Sequence, residues 1–170
     1  MMELDFQFPV RPGPLVLFLK SRRQERVFFA SWRLGERFFF EADVTENEVA
    51  KQIVDAAFRV HTSLGPGLLE SVYEVLLAYE LEQRDLRTVR QQPVPVVYHG
   101  TRIEMGFRAD LIVEDKVIVE IKSVEAIAPV PKKQLLTHLR LADKRLGLLI
   151  NFNVALIKDG ITRIANGMPD

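Results

Sequence analysis

The sequence predicts an α/β (α+β) domain, and three observations carry that prediction. Two helical patterns follow one another, three strand-like runs come next with joints of only two or three residues, and a further helix leads into a wholly apolar strand. The chain has 170 residues, 48% of them apolar, which suits one compact domain burying roughly 70% of the surface its unfolded form exposes.

The N-terminal stretch, residues 1–44, reads as an extension to that domain. Leu15 to Leu19 and Val27 to Ala30 are short apolar runs flanking Ser21 to Arg26, a hairpin pattern, and Phe38 to Phe40 adds a third patch. The domain itself is expected over 45–170. Thr45 with Glu48 three residues on is a capping box, and Ile53, Ala56, Ala57 and Val60 give the first helix its apolar stripe. Leu64 to Gly67 breaks the chain; Leu69, Val72, Leu76 and Tyr79 then recur at helical spacing as far as about Arg84.

Val94 to Tyr98, Ile103 to Val113 and Val117 to Lys122 are strand patterns joined at His99-Gly100 and Glu114 to Lys116, so an antiparallel meander is expected. Pro129 and Pro131 interrupt before a helix from about Lys132 to Asp143, with Leu135, Leu136 and Leu139 inward. Leu146 to Phe152 is a buried strand, and Leu156 to Ile164 reads as a last hairpin turning at Asp159-Gly160.

Composition narrows the chemistry. There is no cysteine and there are only three histidines, which excludes a disulfide scaffold and a thiolate zinc site and leaves carboxylates as the available metal ligands. Leu15 to Leu19 is too short to span a bilayer and lacks a basic lead-in, so a soluble, cytoplasmic protein without membrane partners is expected. The 23 basic and 23 acidic residues balance, which argues against a nonspecific nucleic-acid coater. Yet Arg84 to Arg145 carries 12 Lys plus Arg against 8 Asp plus Glu, leaving room for a local encounter with phosphate.

Within that segment, strand alternation sets Ile118, Glu120 and Lys122 on one face and Val117, Val119 and Ile121 on the other. A three-residue loop at Glu114 to Lys116 opposes Asp110 to Glu120; a two-residue loop opposes it to Val119 instead. In the first register two carboxylates lie with Cβ atoms roughly 5 Å apart, where they repel unless a cation lies between them. Asp110, Glu120, the Ile121 carbonyl and water make the oxygen set that Mg2+ prefers, and Lys122 then lies on the same face as Glu120, able to orient a water or meet a phosphate.

Several motifs together carry a resemblance. Gly67-Leu68-Leu69-Glu70-Ser71-Val72-Tyr73 spells G-x-x-E-x-x-Y; Phe107 to Asp110, Val119 to Lys122, Gln134 to Leu136 and Leu148 to Phe152 follow. Over about Thr45 to Gly167 the chain resembles the GxxExxY protein family, which is placed in the PD-(D/E)xK nuclease-like superfamily. The resemblance implies a restriction-endonuclease-like core, a mixed sheet flanked by helices, and hydrolysis of DNA or RNA phosphodiesters with Mg2+ or Mn2+. It assigns Asp110 and Glu120 as metal carboxylates, Lys122 as the catalytic lysine, Glu70 as the acidic residue of the first core helix and Gln134 as the glutamine of the helix after the site.

Two departures accompany it. His138 stands where a Tyr usually follows that glutamine by four residues, and Ala109 replaces the nominal proline before the aspartate. Tyr73 shares a helix face with Glu70, which suits either a residue beside the site or amphipathic core. Lys132, Lys133, Arg140, Lys144 and Arg145 suit a solvated helix face better than a backbone-tracking one. His61 and His99 lie near turns without ligand partners. The alternative to a nuclease is a non-catalytic nucleic-acid or protein interaction module that keeps the nuclease-like core.

Overall fold

The computed structural model describes residues 44–168, Met105's side chain excepted, and the backbone of three strands ahead of them, 17–21, 24–33 and 36–41. The chain divides into two compact units, Met1–Val44 and Thr45–Asp170. In the first unit β1 (Leu17–Ser21), β2 (Gln24–Arg33) and β3 (Glu36–Glu41) form an antiparallel sheet in that order. The hairpin expected there is present; Leu15 and Val16 lie outside the described residues.

The second unit begins with α1 (Glu46–Leu64) and α2 (Glu70–Glu82). Thr45 caps α1 as expected: its Oγ1 accepts from Glu48 N–H at 3.3 Å, and Glu48 Oε2 accepts from Thr45 N–H at 2.8 Å. Such a box stabilises a helix start by about 1 kcal/mol. Gly65 ends α1 at φ 69, and Gly67 sits at φ 105, left-handed conformations that a side chain would strain.

β4 (Thr88–Tyr98), β5 (Thr101–Val113), β6 (Val117–Lys122), β7 (Leu146–Asn151) and β8 (Ile161–Ala165) form a five-stranded mixed sheet in that order. All neighbours are antiparallel except β6 and β7, which run parallel and are joined by a crossover through α3 (Pro129–Leu141). The expected meander is β4 to β6. Its first strand starts six residues earlier than the apolar run because Thr88 to Pro93 alternate too weakly in hydrophobicity to signal a strand.

Leu135 and Leu139 of α3 pack on Val94, Ala109, Ile112, Ile118 and Leu149. Gly147 permits this closeness: a Cβ there would lie 3.1 Å from the Leu135 side chain. The opposite face, including Leu111, Val117, Val119, Ile121 and Ile150, is equally buried and lies against α1 and α2.

Three expectations require correction. The helix α3 begins at Pro129, not after the prolines, because proline at the first turn gives up only N–H groups that lack helical partners anyway. The last hairpin is absent: Ile157–Gly160 forms a single helical turn, α4, and β8 returns to pair with β7. Gly160 serves close approach there, since a Cβ would stand 2.1 Å from the Asn151 carbonyl oxygen. Finally, α2 buries Tyr73, Glu74, Leu77, Ala78 and Leu81, while Leu69, Val72 and Tyr79 of the expected stripe are exposed. The helix is apolar on two sides, and tertiary packing selects the other one.

Candidate active site

The pairings Val113 to Val117, Ile112 to Ile118 and Leu111 to Val119 establish the three-residue loop. The next step would oppose Asp110 to Glu120, but the ladder stops there. Asp110 Oδ2 instead accepts the Ile121 backbone N–H at 2.9 Å, so the aspartate carboxylate occupies the fork between β5 and β6. On its other side β4 is also irregular: Arg90 pairs with Leu111 and Gln92 with Ala109, while Gln91 between them takes a left-handed φ of 51.

Glu120 projects toward α3. Its Oε1 accepts from His138 Nδ1 at 3.2 Å, and the His138 ring stacks on Phe107 with centroids 3.8 Å apart. Glu120, Pro131, Gln134, Leu135, His138 and Leu149 line a small cleft. Thus the His138 imidazole is buried, bonded to the acid and stacked. Lys122, half-buried at the end of β6, has no ion pair within 4 Å among the described residues; its charge acts on Asp110 through space.

Two other expected residues, Glu70 and Tyr73, come from α2. Glu70 Oε1 accepts the Ser123 N–H at 3.0 Å, one residue beyond Lys122, while Ser123 Oγ donates to the Leu68 carbonyl. These bonds tie the start of α2 to the end of β6. Tyr73 is fully buried and stacks on Phe152 at 4.3 Å; its hydroxyl donates to the Gly65 carbonyl and accepts from Leu68 N–H. Of the two roles open to Tyr73, it fills core and holds the turn before α2.

A carboxylate missed in the sequence lies nearer the fork. Glu74, one helical turn after Glu70, is buried, ion-paired with Arg90 Nε at 2.9 Å and bonded to the Gln91 amide, which also reaches Asp110 Oδ1 at 3.4 Å. Its signal was an acid flanked by apolar neighbours in Val72 to Ala78, at the spacing that shares a face with Glu70. Asn151 was missed similarly: buried, it donates to the Val124 carbonyl at 2.7 Å and accepts from Val124 N–H at 3.0 Å, closing the loop after β6.

Burial pushes the Asp110 carboxyl above its ordinary pKa. The Ile121 N–H opposes that shift, Glu120 adds to it, Lys122 opposes it and Glu74 adds again. An acid whose folded pKa is raised costs stability: the cost is absent below the ordinary aspartate pKa and complete above the raised one. Asp110→Asn keeps an acceptor for Ile121 and removes the charge. In metal-free protein at pH 7 it is expected to raise Tm by roughly 2 °C, a modest gain because the site is partly solvent-screened. That advantage shrinks as pH falls toward 4; thermal unfolding in EDTA checks both, and a lowered Tm at pH 7 counts against it.

A divalent cation fits this donor set. The charges of Asp110 and Glu120 disfavour each other, a conflict that a hard cation between them would relieve. Among the described residues no group of three or more His, Asp or Glu forms a metal cluster, so an ion held by Asp110 and Glu120 would need carbonyl, water or phosphate oxygen to complete its shell, as Mg2+ commonly does. The larger surface cleft, about 300 Å³ beside Arg87, Val89 and Asp115, lies on other residues.

Comparison with known proteins adds one match. The family model for the PD-(D/E)XK nuclease superfamily matches residues 47–164. No curated protein and no solved structure matches the chain.

Proposed function

The chain belongs to the PD-(D/E)XK nuclease superfamily, and from that premise we propose that it is a divalent-metal-dependent nuclease of the GxxExxY family, hydrolysing DNA or RNA phosphodiester bonds. The observation that carries this reading is the fork: Asp110 is held between β5 and β6 by the Ile121 N–H, with the charges of Glu120 and Lys122 both acting on it. Residues 45–170 form the proposed nuclease-like domain and 1–44 an appended unit, in a cytoplasmic protein.

Asp110, Glu120 and the Ile121 carbonyl would hold the ion, with Glu70 adjoining at Ser123. A bound Mg2+ or Mn2+ supplies polarisation of a phosphate oxygen and a more acidic water. Lys122 meets the developing negative charge or orients the attacking water. His138 fixes the carboxylate of Glu120 through its Nδ1. Gln134 faces the cleft beside Glu120, and exposed Lys132, Lys133 and Arg140 on the same helix offer charge to a nucleic-acid backbone.

The test is cleavage by the purified full chain of single- and double-stranded DNA and RNA, with Mg2+ or Mn2+. Cleavage dependent on added metal and abolished by EDTA is expected. A second reading, a non-catalytic interaction module on the same core, is favoured by one observation: Glu120 and Asp110 each already have a protein partner, His138 and the Ile121 N–H. Binding of nucleic acid or protein without cleavage of any of the four substrates selects it.

A further inference from the structure

Asp110 lies where the ladder to β6 ends and where β4 across from it takes an unusual backbone conformation. Toward β6 its carboxylate replaces a ladder bond by accepting from Ile121. Toward β4, the flanking pairs place Gln91 across from it, and Gln91 departs from strand conformation at φ 51. A non-glycine residue there is strained, and the conformation persists only where surrounding contacts enforce it. The enforcing contacts are visible. Gln91 Nε2 donates both to Glu74 Oε2 and, at 3.4 Å, to Asp110 Oδ1, while Arg90 next to it donates to Glu74 Oε1 at 2.9 Å. Glu74 is 5% exposed and immobilised on α2.

We infer that Gln91 is a positioning residue for Asp110: anchored by buried Glu74, itself paired with the more exposed Arg90, its amide orients the Asp110 carboxylate so that Oδ2 stays on the Ile121 N–H. The inference rests on the metal reading for its functional consequence, but its structural content stands apart. A carboxylate with one oxygen pinned by Ile121 and the other approached by the Gln91 amide has lost rotation about its terminal torsion. An ion entering the fork then meets an oriented ligand, with the ordering cost already met in folding.

The experiment separates the two contents. Gln91→Gly keeps the left-handed backbone at no steric cost and removes the whole side chain with its amide; Gln91→Asn also tolerates that conformation, keeps an amide and is one methylene too short to span both carboxylates. By amide hydrogen exchange in EDTA, either variant is expected to lower Ile121 protection about 10-fold while Ile118 and Val119 stay unchanged. Glu74→Gln, which keeps an acceptor without charge, is expected to lower it about 3-fold, and to add nothing to Gln91→Gly. Unchanged Ile121 protection in both Gln91 variants overturns the inference, and so does an equal fall along all of β6.

Calorimetry with Mn2+ on the same samples reads the consequence. If the wild type binds Mn2+, Gln91→Gly is expected to bind about 10-fold more weakly, and equal affinity overturns the positioning role. A wild type that binds no Mn2+ retires the metal reading while the exchange result still decides whether Gln91 orients Asp110.

Discussion

Lys122→Met is expected to reduce metal-dependent cleavage by about 10²- to 10³-fold while leaving Mn2+ affinity within about threefold of wild type, because an ammonium near developing charge acts on the transition state and is not a ligand. Glu120→Gln is expected to lose both cleavage and binding. The contrast follows from where the two side chains lie. Both belong to the same alternating face of β6, but Glu120 is held in the cleft against His138, whereas Lys122 ends the strand without an ion-pair partner among the described residues. Measuring cleavage rate and calorimetric affinity on the same preparations distinguishes them. Loss of metal binding in Lys122→Met would mean that the lysine shapes the site itself; undiminished cleavage would remove it from the chemistry.

Tyr73→Ala is expected to destabilise the domain by about 4 kcal/mol, among the largest effects available to one substitution. The ring is fully buried and stacked on Phe152 with planes 8° apart, so truncation leaves a cavity beneath the end of β7. Tyr73→Phe isolates the hydroxyl. It removes the 2.7 Å bond to the Gly65 carbonyl and the 3.2 Å bond from Leu68 N–H, for a loss of about 1–2 kcal/mol. Denaturant unfolding measures both. Specific cleavage per folded molecule is expected to stay unchanged in Tyr73→Phe, since the hydroxyl points to the turn before α2; a fall of tenfold would return Tyr73 to the site.

Much of the fold was legible because local and tertiary requirements agree. Thr45 and Glu48 announce a helix start that forms, and the length of Glu114 to Lys116 selects the register of β5 on β6. Where the reading failed, local pattern left two options and packing chose. In α2, Leu69, Val72, Leu76 and Tyr79 have helical spacing, but so do Tyr73, Leu77 and Leu81, and the sheet takes the second set. Asp159-Gly160 has hairpin chemistry, yet among the described residues neither takes a positive φ; the glycine is needed for contact with the Asn151 carbonyl.

The site was legible in residue type and less so in arrangement. The nearness of Asp110 to the Glu120 to Lys122 stretch of β6 follows from alternation and loop length. That Asp110 would enter the fork and take the Ile121 N–H does not, because a ladder bond replaced by a side chain leaves no periodic trace. Glu74 was hidden for a related reason: a buried acid among apolar residues resembles the polar punctuation of a solvated helix until Arg90 and Gln91 are brought to it from β4. His138 closes one side of the cleft, its ring stacked on Phe107 and its Nδ1 on Glu120, contacts that helical spacing from Gln134 alone does not announce.

Asp110 and Glu120 are proposed to form one divalent-cation site. Calorimetric titration of Mn2+ into the wild type and Glu120→Ala, in one metal-free buffer at pH 7.5 or another pH well above carboxylate titration, tests it most directly. One saturable site is expected in the wild type, and at least about 100-fold weaker binding in Glu120→Ala. No binding by a folded wild type, or equal binding by both proteins, would contradict it.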